Sequence, residues 1–338
     1  MSFFPQLVAG PIERSKKLLT QIKNVEKESL FKIDKFRSGF IYMVWGLFLK
    51  MVIADRIAIL VDNVFNNYYL YWGTELIFAT IGFTIQIYCD FASYSTIAIG
   101  ASRIMGFDLM ENFNTPYLAS SIKDFWRRWH ISLSTWFRDY LYIPLGGNRC
   151  GAFRKNINVM ITFLISGLWH GADWSYVIWG GLHGLYQVVG DVISKPKKKV
   201  ISHLNVNTEC ESWKILEIVF TFILVAFAWI FFRADSLQDA FVIISRIISK
   251  PSPWVLFNGG LYGLGLSRYE MNIFICSTMV LLFIDIIKYR KNKSIDQFLF
   301  GQNTWFRWLF IVLMILATFI YGEYGPSFDA KQFIYFQF

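Results

Sequence analysis

The chain has 338 residues, of which 55% are hydrophobic and only 17% charged, and its mean hydropathy is +0.40. This composition excludes an ordinary water-soluble domain and is typical of a protein that crosses a membrane several times. The net charge of +9 does not indicate nucleic-acid binding, because the basic residues form short runs between apolar segments, as in cytoplasmic loops.

Seven apolar segments along the chain predict helices that cross the membrane or pack within it. In chain order they are Phe36–Ala54, Glu75–Ala92, Asn156–Trp169, Trp174–Ile193, Ile215–Phe232, Met271–Ile287 and Trp305–Tyr321. The last three are long and apolar enough to span a bilayer core. The first four carry isolated polar residues, which are tolerated where a helix faces protein or a water-filled cavity. The pattern predicts an all-α polytopic protein with one membrane domain over residues 1–338.

The basic runs predict an orientation for these helices. Lys195–Lys199 and Lys288–Lys293 are separated by two predicted spans, so both can lie in the cytoplasm. The basic segment Glu13–Arg37 is then also cytoplasmic. Ala234–Glu270 and the C-terminal tail are expected on the opposite side.

The spacing of cysteines and histidines favours neither a disulfide framework nor a metal site. The cysteines lie about sixty residues apart and form no C-x-x-C pair. They are Cys89, Cys150, Cys210 and Cys276. The histidines show no His-x-x-x-His spacing and have no carboxylate set beside them, so a zinc site is not predicted.

Tyr117–Leu145 is predicted to form one amphipathic helix. Ser121 and Asp124 resemble a capping box at its start, and Pro144 marks its end. One face is apolar and carries Trp126, Trp129, Leu133, Trp136, Phe137 and Tyr140. The other is polar and carries Lys123, Arg127, His130, Ser134 and Arg138. Such a helix lies along the membrane interface or beside a water-filled cavity, so it presents His130 to a polar space.

Ser166–Gly184 places His170 and His183 among tryptophans and glycines in a region predicted to be membrane-embedded. A buried imidazole is costly unless it is hydrogen-bonded, and an ionisable group at membrane depth is a candidate functional residue. A structural histidine bound to a backbone carbonyl is the alternative for His170, and a helix-packing hydrogen bond is the expectation for His183. The glycines that permit close helix packing are Gly167, Gly171, Gly180, Gly181 and Gly184.

Four motifs together resemble the membrane-bound O-acyltransferase family. They are FFPQLVAGPIER (3–14), RRWHISLSTWFRDYLYIPLGGNR (127–149), FLISGLWHGADWSYVIWGGLHG (163–184) and the terminal FIYFQF (333–338). They cover essentially the whole chain in the family's order. Ile143–Arg149 resembles the polysaccharide-acetylating branch more than the branch that D-alanylates teichoic acid. Family members carry several more helices before the first motif, so this chain is expected to lack the N-terminal transmembrane helices.

The resemblance implies tilted transmembrane, re-entrant and interfacial helices around a central tunnel, and it places the catalytic histidine at His170 and a second site histidine at His130. A neutral imidazole at His170 would accept the proton of an acceptor hydroxyl as its oxygen attacks a thioester carbonyl, and would return it to the leaving thiolate. The substrate-binding candidates are Trp169, Arg127, Ser134, Arg138, Asn148 and Arg149. The arginines also suit lipid headgroups, and Asn148 with Arg149 also suits a simple turn.

The implied donor is acetyl-coenzyme A or an acylated carrier protein, and the implied acceptor is an exported, alginate-like polysaccharide. The resemblance also suggests an extracytoplasmic acetyltransferase partner and a bacterial inner membrane, with no metal and no permanently bound cofactor. A D-alanyl or lipid O-acyltransferase remains open within the family. Outside it, the same intramembrane polar residues suit a transporter or flippase, or a scaffold that recruits another acetyltransferase.

Overall fold

The computed structural model of the chain describes residues 10–24 and 32–324, and no strand occurs among them. The predicted all-α class is confirmed. The α-helices are α1 Ser15–Asn24, α2 Ile33–Phe48, α3 Asp55–Asn66, α4 Gly73–Ile104, α5 Ile122–Arg128, α6 Ile131–Phe137, α7 Gly151–His170, α8 Trp174–His203, α9 Glu211–Arg233, α10 Leu237–Ser249, α11 Arg268–Lys291, α12 Ile295–Phe300 and α13 Thr304–Tyr321. Two π-helical stretches, Leu49–Ala54 and Arg138–Tyr142, follow α2 and α6. The terminal FIYFQF motif and most of the first motif lie outside the described residues.

Four of these helices, α4, α9, α11 and α13, are long and apolar enough to cross a membrane, by length and composition. They contain the predicted segments Glu75–Ala92, Ile215–Phe232, Met271–Ile287 and Trp305–Tyr321, which confirms those four predictions. The other three predicted segments form α2 with its π-helical extension, α7 and α8. These helices are not among the four, so their position in the membrane stays a prediction.

The chain forms two compact units. The first comprises Met1–Asn67, Ile81–Asn114 and Pro253–Phe338, and the second comprises Tyr68–Thr80 and Thr115–Ser252. Helix α4 therefore contributes residues to both units. Every predicted site residue belongs to the second unit. The single domain predicted over the whole chain stays a prediction.

Buried ion pairs neutralise charged residues inside the first unit. Lys50 contacts Asp55 at 2.7 Å and Asp90 of α4 at 2.5 Å, and both carboxylates are almost fully buried. Arg56, also buried, contacts Glu323 at 2.9 Å. An isolated charge in a protein interior costs several kcal/mol, and pairing offsets that cost. The expectation that polar residues of apolar segments face protein is confirmed for Asp90.

In the second unit, α7 and α8 pack backbone against backbone where glycines remove the side chain. A Cβ atom added at Gly180 would lie 2.2 Å from the carbonyl oxygen of Phe163, and one at Gly167 would lie 2.3 Å from that of Tyr176. A Cβ atom at Gly181 would meet nothing closer than the Leu164 side chain at 3.4 Å. The packing role predicted for the glycines is therefore confirmed at positions 167 and 180, while position 181 has room for a methyl group.

We expect Gly180→Ala to lower the free energy of unfolding by about 1–3 kcal/mol, because the added methyl group must push α7 and α8 apart. Thermal unfolding of the purified chain in detergent measures this loss. Gly181→Ala, the neighbouring position with space, is the matched control and is expected to leave the unfolding midpoint unchanged. Equal midpoints for the two variants would contradict the close approach of the two backbones.

The basic run Lys195–Lys199 does not form the predicted loop. It continues α8 to His203, with Pro196 inside the helix. Proline removes one backbone N–H and usually kinks or ends a helix, but here the helix continues through it. The run Lys288–Lys293 was also predicted to be a loop. Its first four residues belong to α11, which ends at Lys291, and Asn292 follows in the left-handed conformation.

Candidate functional site

The segment predicted as one amphipathic helix is broken at its centre. Helix α5 ends at Arg128, and α6 begins at Ile131. Between them His130 has φ +41° and ψ +55°, a left-handed conformation that interrupts the helical hydrogen bonds. The single-helix prediction was wrong, although the start was predicted well: the Ser121 side chain accepts a hydrogen bond from the Asp124 N–H at 3.2 Å.

The break at His130 indicates a constrained position. A non-glycine residue in the left-handed region costs about 1 kcal/mol or more and persists only where the surroundings impose it. Trp129 and Leu133, on either side, are buried, and the Ser134 hydroxyl donates to the Trp129 carbonyl at 3.2 Å. The imidazole of His130 is itself only 4% exposed, so the turn carries this ring into the interior instead of onto a polar helix face.

His130 and His170 lie close enough for a positive charge on one to oppose a positive charge on the other. Burial, and secondarily the proximity of His170, lowers the pKa of His130 to about 3. The His130 ring is therefore neutral at physiological pH. The two histidines named from the sequence are thus neighbours in the fold, although 40 residues separate them along the chain.

His170 is the last residue of α7 and is half-buried. Three aromatic rings meet its imidazole edge-on: Trp169 at 4.9 Å, Trp179 of α8 at 5.2 Å and Phe232 of α9 at 5.3 Å between ring centroids. Trp169 also meets Phe137 at 6.4 Å and is itself 49% exposed. Apolar walls on three sides restrict water around an imidazole that is still accessible.

His183 belongs to α8 and lies where this helix packs against α5. Its Nδ1 accepts a hydrogen bond from Nε1 of Trp126 at 3.2 Å, and its ring stacks on Phe125 at 6.0 Å. The residue is completely buried. The hydrogen bond joins the two helices and agrees with the packing role predicted for His183.

A cavity of about 260 Å³ lies within the second unit. Four predicted binding residues line it: Arg127, Ser134, Arg138 and Asn148. Its other lining residues include Lys123, Tyr142, Lys155, Thr162, Ser166, Gln187 and Asp191. Neither His130 nor His170 lines it. Ser166 does, and it precedes His170 by about one helical turn on α7.

The charged side chains of the cavity lining are predominantly cationic. The lining carries Lys123, Arg127, Arg138 and Lys155 against one carboxylate, Asp191. Lys155 of α7 forms an ion pair with Asp191 of α8. Arg138 contacts the neighbouring Asp139 at 2.8 Å. This excess of positive charge favours an anionic ligand, such as a phosphate group.

The IPLGGNR segment forms the turn that closes one side of the cavity. Gly146 and Gly147 adopt positive φ, and the buried Asn158 of α7 donates to the carbonyl oxygens of Leu145 at 3.1 Å and Gly147 at 3.3 Å. Asn148 accepts a hydrogen bond from the Tyr142 hydroxyl at 2.6 Å. Arg149, also predicted to bind substrate, does not line this cavity and belongs to the turn, where its N–H donates to the Gly146 carbonyl at 3.1 Å.

Sequence analysis missed Lys155, Asp191 and Tyr142 as members of this lining. Asp191 offered a usable signal, because a carboxylate within the apolar segment Trp174–Ile193 needs a partner. Lys155 lies 36 residues earlier, so no spacing rule connects the two. Among residues 10–24 and 32–324, no three histidine, cysteine or acidic side chains group as metal ligands.

Comparisons with known proteins find a family and several relatives that resemble this chain. The model of the membrane-bound O-acyltransferase family matches residues 1–234. The chain is 41% identical over 240 residues to probable alginate O-acetylase AlgI of Pseudomonas putida, covering 71% of this chain and 46% of the relative. It is 39% identical over 253 residues to peptidoglycan O-acetyltransferase of Helicobacter pylori, covering 73% and 45%. It is 32% identical over 249 residues to teichoic acid D-alanyltransferase of Bacillus subtilis, covering 68% and 59%. The chain spans about half the length of the first two relatives.

Proposed function

Because the chain belongs to the membrane-bound O-acyltransferase family, we propose that it transfers an acetyl group from a thioester donor to hydroxyl groups of an exported polysaccharide. The observation that carries this proposal is the proximity of His130 and His170 in the same compact unit as a cavity with an excess of cationic side chains. A base for the acceptor hydroxyl and a holder for a phosphate-bearing donor are what acyl transfer from a thioester requires.

His170 is the proposed general base. Its neutral imidazole accepts the proton of the acceptor hydroxyl while the hydroxyl oxygen forms a bond to the thioester carbonyl carbon. The carbon–sulfur bond then breaks, and the imidazolium returns the proton to the departing thiolate. The walls formed by Trp169, Trp179 and Phe232 support this role, because they limit the water that would otherwise hydrolyse the thioester.

His130 is the proposed partner of this base. A buried neutral imidazole can donate one N–H to the carbonyl oxygen of the donor as negative charge develops there. The left-handed turn supports this role, because a constrained backbone is a common feature of positions that aim a side chain at a reacting group.

The cationic cavity is the proposed site of the donor's phosphate groups. Acetyl-coenzyme A and an acylated carrier protein both carry a phosphopantetheine arm, so the cavity suits either donor. Arg127 and Lys155 would hold the phosphates, while Ser166 lines the part of α7 that leads to His170. In this proposal the donor is a consumed substrate, and the chemistry requires no metal or resident cofactor.

The proposed setting is the inner membrane of a bacterium, with an alginate-like polymer as the acceptor. The AlgI relatives support this choice of acceptor, and the similarity to the Helicobacter pylori protein makes peptidoglycan the second candidate. An extracytoplasmic acetyltransferase is the proposed partner that receives the acetyl group or completes its delivery.

Transfer by the full 338-residue chain in proteoliposomes tests the proposal. Two radiolabelled acetyl donors are supplied separately: acetyl-coenzyme A, and a carrier protein that carries an acetyl group on its phosphopantetheine arm. Mannuronate oligosaccharide or peptidoglycan fragments serve as acceptors. We expect labelled acetyl esters on mannuronate from at least one donor. Failure of the chain to remove the acetyl label from either donor, with protein that unfolds cooperatively, would contradict the proposal.

Arg127→Gln is expected to raise the KM for the donor about tenfold with little change in kcat, because it removes a charge-assisted contact to phosphate. Initial rates against donor concentration measure the two constants. Arg154→Gln makes the same charge change at an exposed position of α7 outside the cavity and is expected to match the wild type. Equal KM values for the two variants would remove the cavity from donor binding.

A further inference from the structure

The first unit contains a small polar cavity that the proposed acyl transfer does not use. It measures about 60 Å³ and lies between α2, α4 and α11. Its polar lining consists of Tyr42, Tyr88, Ser95, Thr96, Glu111, Asn112, Asp285 and Lys288. All of these residues belong to the first unit, so the cavity can be considered without reference to the histidine site.

The charges that line this cavity do not balance. Glu111 accepts hydrogen bonds from Lys288 at 2.8 Å and from the Tyr42 hydroxyl at 3.3 Å, so its charge is compensated. Asp285 is buried, and its carboxyl group accepts a hydrogen bond from the Tyr88 hydroxyl. The hydroxyl oxygen lies 3.3 Å from Oδ1 and 3.0 Å from Oδ2 of Asp285. Lys288 interacts with Asp285 only at longer range, since its hydrogen bonds go to Glu111 and the Phe113 carbonyl. Two carboxylates therefore face one ammonium, and among the described residues Asp285 has no cation within hydrogen-bond distance.

A hydroxyl group of the lining has unused hydrogen-bonding capacity. Ser95 of α4 is 2% exposed, and its Oγ has no hydrogen-bond partner among the described residues. A buried polar atom without a partner loses its hydration without compensation, which destabilises the fold. The Ser95 hydroxyl is therefore available to form a hydrogen bond with a ligand inside the cavity.

The rest of the lining consists of aromatic and aliphatic side chains. Trp45 of α2 and the rings of Tyr88 and Phe113 line it, together with aliphatic side chains such as Ile99 and Ile284. Aromatic faces attract cations that carry carbon substituents, whereas a bare metal ion prefers a shell of oxygens. The volume corresponds to about four water-sized groups. This combination of a buried carboxyl group without an ion-pair partner, a hydroxyl without a partner among the described residues, and aromatic walls fits an organic ammonium group.

We propose that this cavity binds the ammonium group of a small amine or of an amine-bearing lipid headgroup, such as that of phosphatidylethanolamine. Asp285 supplies the counter-charge, and the hydroxyl of Ser95 accepts one ammonium N–H. Trp45 and Tyr88 contact the adjacent carbons. The binding site is independent of acyl transfer, and it ties an ammonium-bearing molecule to helices α2, α4 and α11.

Native mass spectrometry of the full delipidated chain tests this proposal. The chain is mixed separately with short-chain phosphatidylethanolamine, with short-chain phosphatidylglycerol, which lacks an amine, and with ethanolamine as competitor. We expect one phosphatidylethanolamine per chain at concentrations where phosphatidylglycerol does not bind. Displacement by ethanolamine assigns the affinity to the ammonium alone, and lack of displacement assigns it to the whole lipid headgroup.

Asp285→Asn is expected to weaken phosphatidylethanolamine binding at least about tenfold, because it removes a charge-assisted contact without changing shape. Ser95→Ala, which keeps every charge, is the second variant and is expected to weaken it severalfold. Asp34→Asn makes the same charge change at an exposed position of α2 and is expected to bind like the wild type. Equal binding of both lipids, or wild-type binding by both Asp285→Asn and Ser95→Ala, would overturn the proposal.

Discussion

His170→Gln is expected to reduce acetyl transfer by about a hundredfold to ten-thousandfold, the range that a positioned general base contributes. Glutamine keeps much of the size and hydrogen-bonding capacity of histidine but cannot take up a proton near neutral pH. The variant therefore removes the base and preserves the ring-lined pocket of Trp169, Trp179 and Phe232. The expected loss falls on kcat, measured as acetyl esters formed per chain in proteoliposomes at saturating donor.

The matched control is His203→Gln, the same change at an exposed histidine at the end of α8 in the same unit. It is expected to retain wild-type transfer. Thermal unfolding of both variants shows whether His170→Gln remains folded. A folded His170→Gln chain that still transfers acetyl groups at the normal rate would exclude the base role and favour the scaffold alternative. Acceptor movement across the bilayer without any ester formation in the wild type would favour the transporter.

Removal of the His130 ring is expected to lower kcat by about a hundredfold or more, since loss of one donor to a developing oxyanion has effects of this size. His130→Gly is the informative variant because glycine adopts positive φ without strain and so preserves the turn between α5 and α6. Its unfolding midpoint is expected to be close to that of the wild type, while its activity is lost. His130→Asn keeps both the tolerance of this backbone conformation and a side-chain donor, and is expected to recover part of the activity.

Asn205→Gly is the control for the backbone, because Asn205 also has positive φ and lies in an exposed turn of the same unit. It is expected to leave transfer unchanged. If His130→Gly transferred acetyl groups as fast as the wild type, the left-handed turn alone would account for position 130. An equal loss of kcat in the glycine and asparagine variants, with wild-type unfolding, would show that only an imidazole serves there.

Local patterns predicted much of this architecture correctly. The apolar segments that form α4, α9, α11 and α13 could be predicted because about 20 consecutive apolar residues match the thickness of a bilayer core. The motif around His170 and the capping residue Ser121 were equally local signals. The break at His130 was not visible, because the aromatic and polar residues on either side keep helical spacing through it. The loop predicted over Lys195–Lys199 was wrong because a run of basic residues can also form the end of a long helix, here α8.

The sequence by itself determined the all-helical membrane class and the family, because hydropathy and motifs are read directly along the chain. The assignment of His130 and His170 to the site stays a prediction. Only the tertiary structure decided which side chains share a cavity. The ion pair of Lys155 with Asp191 joins residues on two helices. The presence of Asp285 and Ser95 in one cavity likewise arises from packing between α11 and α4. The physical reason is that charge balance and cavity shape depend on distances between helices, and those distances are set by contacts such as Gly180 against Phe163 that no single segment encodes.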